Sequence, residues 1–169
     1  MSCSSSDDPI THWPHSRYLK MGKLDFVIDS CLDNIELVGT CVECLASRVF
    51  EDQQCNEIKL CVHEAITNCI KHSYRGSPGH KIYISLQLEE DRLTLDIADC
   101  GLAMNPVVLD NTTTHFEANP ENLEEGGMGL KILKILMDDL HYHTTNGMNH
   151  FILVKYANSP SNPNSLPVQ

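Results

Sequence analysis

Three short clusters in this 169-residue chain carry side chains that could do chemistry together. The first lies in Cys61-Val62-His63-Glu64-Ala65-Ile66-Thr67-Asn68-Cys69-Ile70-Lys71-His72. Glu64, Asn68 and His72 recur at i, i+4 and i+8, which puts them on one ridge of a helix, beside a stripe of Ile58, Val62, Ala65, Ile66 and Cys69. Polar groups at the border of an apolar face need partners, because an unpaired buried group costs about 1–3 kcal/mol. The plain alternative is a solvated flank. The second cluster is Asp99-Cys100-Gly101-Leu102-Ala103-Met104. Asp99 closes an apolar run, and Gly101 allows a turn without a Cβ penalty. A carboxylate there can accept a hydrogen bond from an exocyclic amine such as that of adenine, although Asp-x-Gly also occurs in ordinary turns. The third is Glu124-Glu125-Gly126-Gly127-Met128-Gly129-Leu130, running into an apolar helical pattern. Glycines at a helix start permit close backbone approach, and the first N–H groups there are unsatisfied, a geometry suited to phosphate. It is not a P-loop, since Gly-Lys-Ser/Thr is missing, and no strand leads directly into it as a dinucleotide fingerprint requires. A glycine-softened loop without a ligand is the alternative.

The elements that must position these clusters follow from periodicity. Residues 23–28 alternate as a first strand. Asp33 followed by Glu36 resembles a capping box, after which Ile35, Val38, Val42, Leu45 and Val49 recur at helical spacing. A second helix spans residues 54–73 and stops at Arg75-Gly76-Ser77-Pro78-Gly79. Residues 81–88 and 92–98 form a hairpin around Glu89-Glu90-Asp91, and a third helix spans residues 127–138. Residues 140–144 and 149–156 form a second hairpin about Asn146-Gly147. The result is an α+β chain, a two-layer sandwich with a mixed, mostly antiparallel sheet and its helices on one face. Residues 1–22 read as a flexible leader, 23–157 as the domain and 158–169 as a disordered tail. The stretch between Leu102 and Glu125 is long for a structureless loop, and such loops are commonly lids.

Bulk composition narrows the function. One domain is the size expected for this length. A hydrophobic fraction of 41% with 21% charged residues fits a globular protein in water. No apolar run approaches the ~20 residues a membrane span needs, and the polar start does not read as a secretory signal. The net charge of −11 opposes direct nucleic-acid binding and permits a basic protein partner or a metal-shielded nucleotide. Among eight cysteines, Cys41 and Cys44 form a lone C-x-x-C without a second pair at zinc spacing. Cys41, Cys61 and Cys69 are expected on apolar helix faces, as thiols of a reducing cytoplasm. A metal site is the alternative.

Taken together, a helix with Glu-x-x-x-Asn, a hairpin ending in Asp-x-Gly and a long loop ending in Gly-Gly-x-Gly-Leu resemble the GHKL nucleotide-binding (Bergerat) fold. Glu64-Ala65-x-Thr67-Asn68, and the run from Gly126 to Asp138, are similar to the bacterial anti-sigma factor serine/threonine kinases. The likeness covers roughly residues 24–156. No dimerising helix with a phospho-accepting histidine precedes the domain, as it would in a sensor histidine kinase.

The resemblance implies ATP and Mg²⁺ as cofactors. It implies Asn68 as the metal ligand and Glu64 as the general base for a serine or threonine hydroxyl. Asp99 would meet the adenine amine and Gly101 would make room for the ring. Ala103, Gly126, Gly127, Gly129 and Leu130 would complete the nucleotide site, with residues 107–125 as the ATP lid. Ala103-Met104 departs from the glycine or aromatic that the family often has there. The hydroxyl that the family puts near adenine in the last strand is not found in Phe151-Ile152-Leu153. Lys131 and Lys134 read as solvated, and His72 takes no catalytic role. The implied substrate is a small STAS-like antagonist of the anti-sigma factor, with a sigma factor as a further partner and a homodimer possible. A non-catalytic binding module of the same fold, and a zinc or redox protein built on the cysteines, are the competing functions.

Overall fold

The computed structural model describes residues 22–104 and 127–157. The chain runs β1 (Gly22–Asp29), α1 (Asp33–Ala46), α2 (Asp52–Asn68), a π-turn (Cys69–Ser73), β2 (Lys81–Leu88), β3 (Arg92–Asp99), α3 (Gly127–Leu136), β4 (Asp139–Thr145) and β5 (Met148–Tyr156). The strands form one open sheet in the order β1-β2-β3-β5-β4, and every pairing among them is antiparallel. The α+β sandwich expected from the pattern is borne out.

Alternation explains the layers. In β2, Ile82, Ile84, Leu86 and Leu88 are buried while Lys81, Tyr83 and Gln87 are exposed, and in β3 Leu93, Leu95 and Ile97 continue the buried set. These side chains share one core with Val42, Ile58, Val62, Ile66 and Leu133 of the helices. Asn146 and Gly147, at φ 52° and 77°, close the β4–β5 hairpin in the left-handed conformation that Asn-Gly favours. That turn fixes the register of β5 against β4; on its other edge β5 pairs with β3, where Asn149 lies opposite Asp99.

Helix starts differ from expectation. The residue before α1 is Leu32, and its side chain does not cap the helix; Asp33 and Glu36 lie inside the first turn as acidic residues. The capping box belongs to α2, where the Glu51 N–H donates to Gln54 Oε1 at 3.4 Å. Asp33-Glu36 fails as a box because Asp33 already has helical geometry, so its carboxylate cannot fold back as an N-cap does. Cys41 is exposed, not on the apolar face, because α1 buries the row Ile35, Val38, Gly39, Val42 and Ala46. Cys61 and Cys69 are buried as expected. No group of three or more metal-ligating side chains is placed to hold an ion among the described residues.

A buried cation ties the layers at the far end of α3. Lys155 on β5 donates to Glu57 of α2 at 3.1 Å and to the carbonyl of Leu136, the last residue of α3, at 2.6 Å. A lysine at a helix C-terminus complements its partial negative charge, so the seating of α3 on α2 is anchored from behind. No helix among the described residues is long and apolar enough to cross a membrane.

Candidate nucleotide-binding site

The clusters on α2 and α3 meet. A Cβ added to Gly129, in the first turn of α3, would lie 2.5 Å from Glu64 Oε2 and 3.7 Å from Asn68 Oδ1. The glycine therefore leaves the Glu64 carboxylate where it is as α3 crosses α2: a side chain here would push that carboxylate aside. Glu64 is half-buried and Asn68 is 8% exposed. Asn68 Nδ2 is buried with no hydrogen-bond partner among the described residues, and native proteins leave few polar groups so. An amide buried beside a carboxylate and the first turn of α3 is suited to a ligand that carries both charge and acceptors. Leu130 is buried beneath this seam, Gly127 opens α3, and Lys131 is exposed. Gly126 and the expected lid, residues 107–125, lie outside the described residues.

His72 leaves the ridge that the spacing placed it on. The α-helical ladder ends at Asn68, and the π-turn Cys69–Ser73 adds a residue to the turn, so His72 is exposed. The same wide turn delivers Ser73 to the end of β3. The Ser73 carbonyl accepts from Leu102 N at 2.9 Å, and a Cβ on Gly101 would lie 2.5 Å from it. Gly101 is thus required for the chain leaving β3 to pass the helix end. Ala103 is exposed, and Met104 packs at the core margin with its N–H on the Tyr142 hydroxyl at 2.7 Å.

Asp99 is 3% exposed at the tip of β3. Its Oδ1 accepts from Gly101 N at 2.7 Å and from Asn149 Nδ2 at 3.0 Å, and its Oδ2 accepts from Ser73 Oγ at 3.2 Å. Asn149 Nδ2 also reaches the Gly101 carbonyl at 3.1 Å, while Asn149 Oδ1 accepts from Thr144 Oγ1 at 3.0 Å. Burial first, then the charge and hydrogen bond of Asp99, push the Cys69 thiol well above its ordinary range. Burial likewise pushes Cys61 up to about 12, only partly opposed by Lys155. Neither thiol is a nucleophile near neutral pH.

Ser73, Thr144 and Asn149 were not among the residues expected from the sequence. No hydroxyl stands at Phe151-Ile152-Leu153; the polar side chain of the last strand that meets Asp99 is the Asn149 amide, because the pairing of β3 with β5 sets Asn149 opposite Asp99. The Asn146-Gly147 turn was a partial signal, since counting outward from it gives the register of β5 against β4 but not against β3. Ser73 left no comparable signal, as a π-turn has no sequence period.

The family model for the histidine kinase-like ATPase domain matches residues 31–155, spanning both the α2–α3 seam and the Asp99 cluster. The chain belongs to that family. A serine-protein kinase RsbW of Bacillus mycoides is 29% identical over 140 residues, covering 81% of this chain and 86% of the relative. An anti-sigma F factor of Bacillus cytotoxicus is 36% identical over 115 residues, 68% of this chain and 75% of the relative. A second serine-protein kinase RsbW, from Listeria monocytogenes, is 30% identical over 122 residues, 68% and 74% of the two chains. The likeness to anti-sigma factor kinases drawn from the three motifs is borne out.

Proposed function

We propose that this histidine kinase-like ATPase domain is an ATP-dependent serine/threonine protein kinase acting as an anti-sigma regulatory factor in a partner-switching pathway. Its substrate would be a small STAS-like antagonist protein, and a sigma factor its second partner. The observation that carries the reading is the contact of Gly129 with Glu64 and Asn68, which sets a carboxylate, an amide and a helix N-terminus around one point.

Phosphoryl transfer needs alignment and charge neutralisation more than covalent help. Asn68 Oδ1 would hold Mg²⁺, which supplies neutralisation of the phosphate oxygens when bound. The unpartnered Asn68 Nδ2 has a donor to offer the same ligand. Backbone N–H groups at Gly127 and Gly129 face the phosphate side, since the first turn of a helix leaves them unpaired. Glu64, one turn before Asn68, takes the proton of the attacking hydroxyl, a role worth about 10²–10⁴-fold in rate. Asp99 receives the adenine amine, with Gly101 leaving space for the ring. The net charge of −11 suits partners with basic surfaces, and a cytoplasmic location and homodimer accord with the same reading.

The test is incubation of the protein with labelled ATP, Mg²⁺ and a STAS-like antagonist, followed by mapping of the label. A phosphoserine or phosphothreonine on the antagonist is expected. Nucleotide binding without transfer to any antagonist would reduce the protein to a non-catalytic binding module.

A further inference from the structure

The polar chain at the tip of β3 sets which nucleobase can be read, and the residue that sets it is on β5. This inference rests on the reading of Asp99 as the base contact. Asn149 is 2% exposed, and its orientation is fixed by its neighbours. Nδ2 meets two acceptors, Asp99 Oδ1 and the Gly101 carbonyl, and Oδ1 meets the Thr144 hydroxyl. A flipped amide would set its oxygen against two oxygens, so the network itself assigns the amide.

An ionised carboxylate offers about four lone-pair positions. Gly101 N and Asn149 Nδ2 fill Oδ1, and Ser73 Oγ takes one position on Oδ2. Cys69, buried near this carboxylate, carries a thiol that is a weak donor and yields to a stronger N–H. Room for one further strong donor is left, on Oδ2. We infer that Asn149, by saturating Oδ1 and stopping rotation of the Asp99 carboxylate, is the positioning residue that makes the site select 6-aminopurines over 6-oxopurines. A purine amine donates into the remaining position. A 6-oxo group there sets oxygen against oxygen, and the three donors prevent the carboxylate from turning to relieve it. Without Asn149, Oδ1 is held by a single donor, the carboxylate turns, and discrimination falls.

The readout is the ratio of MgATP to MgITP affinity, since the two nucleotides differ at the 6-position of the base. The full chain is titrated with each, alongside its thermal melting. Wild type is expected to prefer ATP by about 100-fold or more, as sites built around a donor from the ligand do. Asn149→Ala is expected to lower that preference by about tenfold, whatever its melting temperature, in line with loss of one buried hydrogen bond to a charged group. Equal loss of affinity for both nucleotides, with the ratio kept, overturns the proposal and leaves Asn149 structural. Asn149→Ala could fail to fold. Thr144→Val, at an exposed position, then decides: a lowered ratio supports the relay and an unchanged one sinks it. Wild type that binds neither nucleotide refutes the Asp99 reading itself. Wild type that binds both equally refutes only the selectivity assigned to Asn149.

Discussion

The two ends of the candidate site are built to different standards of completeness. At the tip of β3, Asp99 accepts from Gly101, Asn149 and Ser73, and Asn149 is in turn held by Thr144. At the α2–α3 seam, Asn68 is also buried, yet its Nδ2 has no partner among the described residues. A satisfied network is rigid and specific before anything binds, whereas a buried group left unpaired is a cost held against later repayment by a ligand. On the proposed function, the base end is a preorganised recognition surface, and the phosphate end would be completed by the nucleotide and Mg²⁺.

Breaking the unfinished end should have the largest effect. Asn68→Ala removes the amide that the ligand completes, and MgATP binding measured by titration is expected to disappear while the fold, by circular dichroism, remains. Tight MgATP binding by this variant would erase the contrast between the two ends. Next, Glu64→Ala should keep nucleotide affinity within about twofold while single-turnover phosphotransfer falls by about 10²–10⁴. Transfer at the wild-type rate would remove Glu64 as the base.

Gly129→Ala sharpens the comparison further. Its Cβ would sit 2.5 Å from Glu64 Oε2, the mobile tip of a side chain, so the protein should fold with the carboxylate displaced. Misplacement by about 1 Å costs on the order of 10²-fold in rate. Transfer should therefore fall more than ATP affinity does, and equal losses would show that Gly129 serves only the phosphates.

The smallest effect lies behind the site, in pH dependence. Burial pushes the Cys61 thiol from an ordinary value near 9.0 up to about 12. Between those values the folded chain keeps a proton that the unfolded chain has lost, so stability is fully present below pH 9 and declines as pH rises. The slope from this one group is about 1.4 kcal/mol per pH unit. Denaturant midpoints at pH 8 and pH 10 should differ less in Cys61→Ala than in wild type. Parallel curves would show that Cys61 does not contribute.

Legibility in the sequence tracked the range of the interactions. The boundaries of β2 were read to the residue and those of β3 to within one, because a period of two over eight residues with a charged turn between them has one solution. Asp33-Glu36 misled because a capping box depends on the backbone angle at one residue, which side-chain types do not reveal. His72 misled because helical spacing assumes an unbroken α-ladder, and the chain switches to a π-turn at Cys69. Cys41 misled because the width of a buried stripe depends on what packs against it.

Glu64, Asn68, Asp99 and the glycines were nameable from type, spacing and order along the chain, since each is a local statement about a helix ridge, a strand end or a helix start. Their convergence was not. The 2.5 Å approach at Gly129 depends on α3 crossing α2, and the closure of the Asp99 network depends on β5 inserting between β3 and β4. Glu64 and Gly129 stand 65 positions apart, and Asp99 and Asn149 stand 50 apart. Periodicity has no reach over such separations. Only burial of the shared core decides which elements meet, and with that which side chains complete one another.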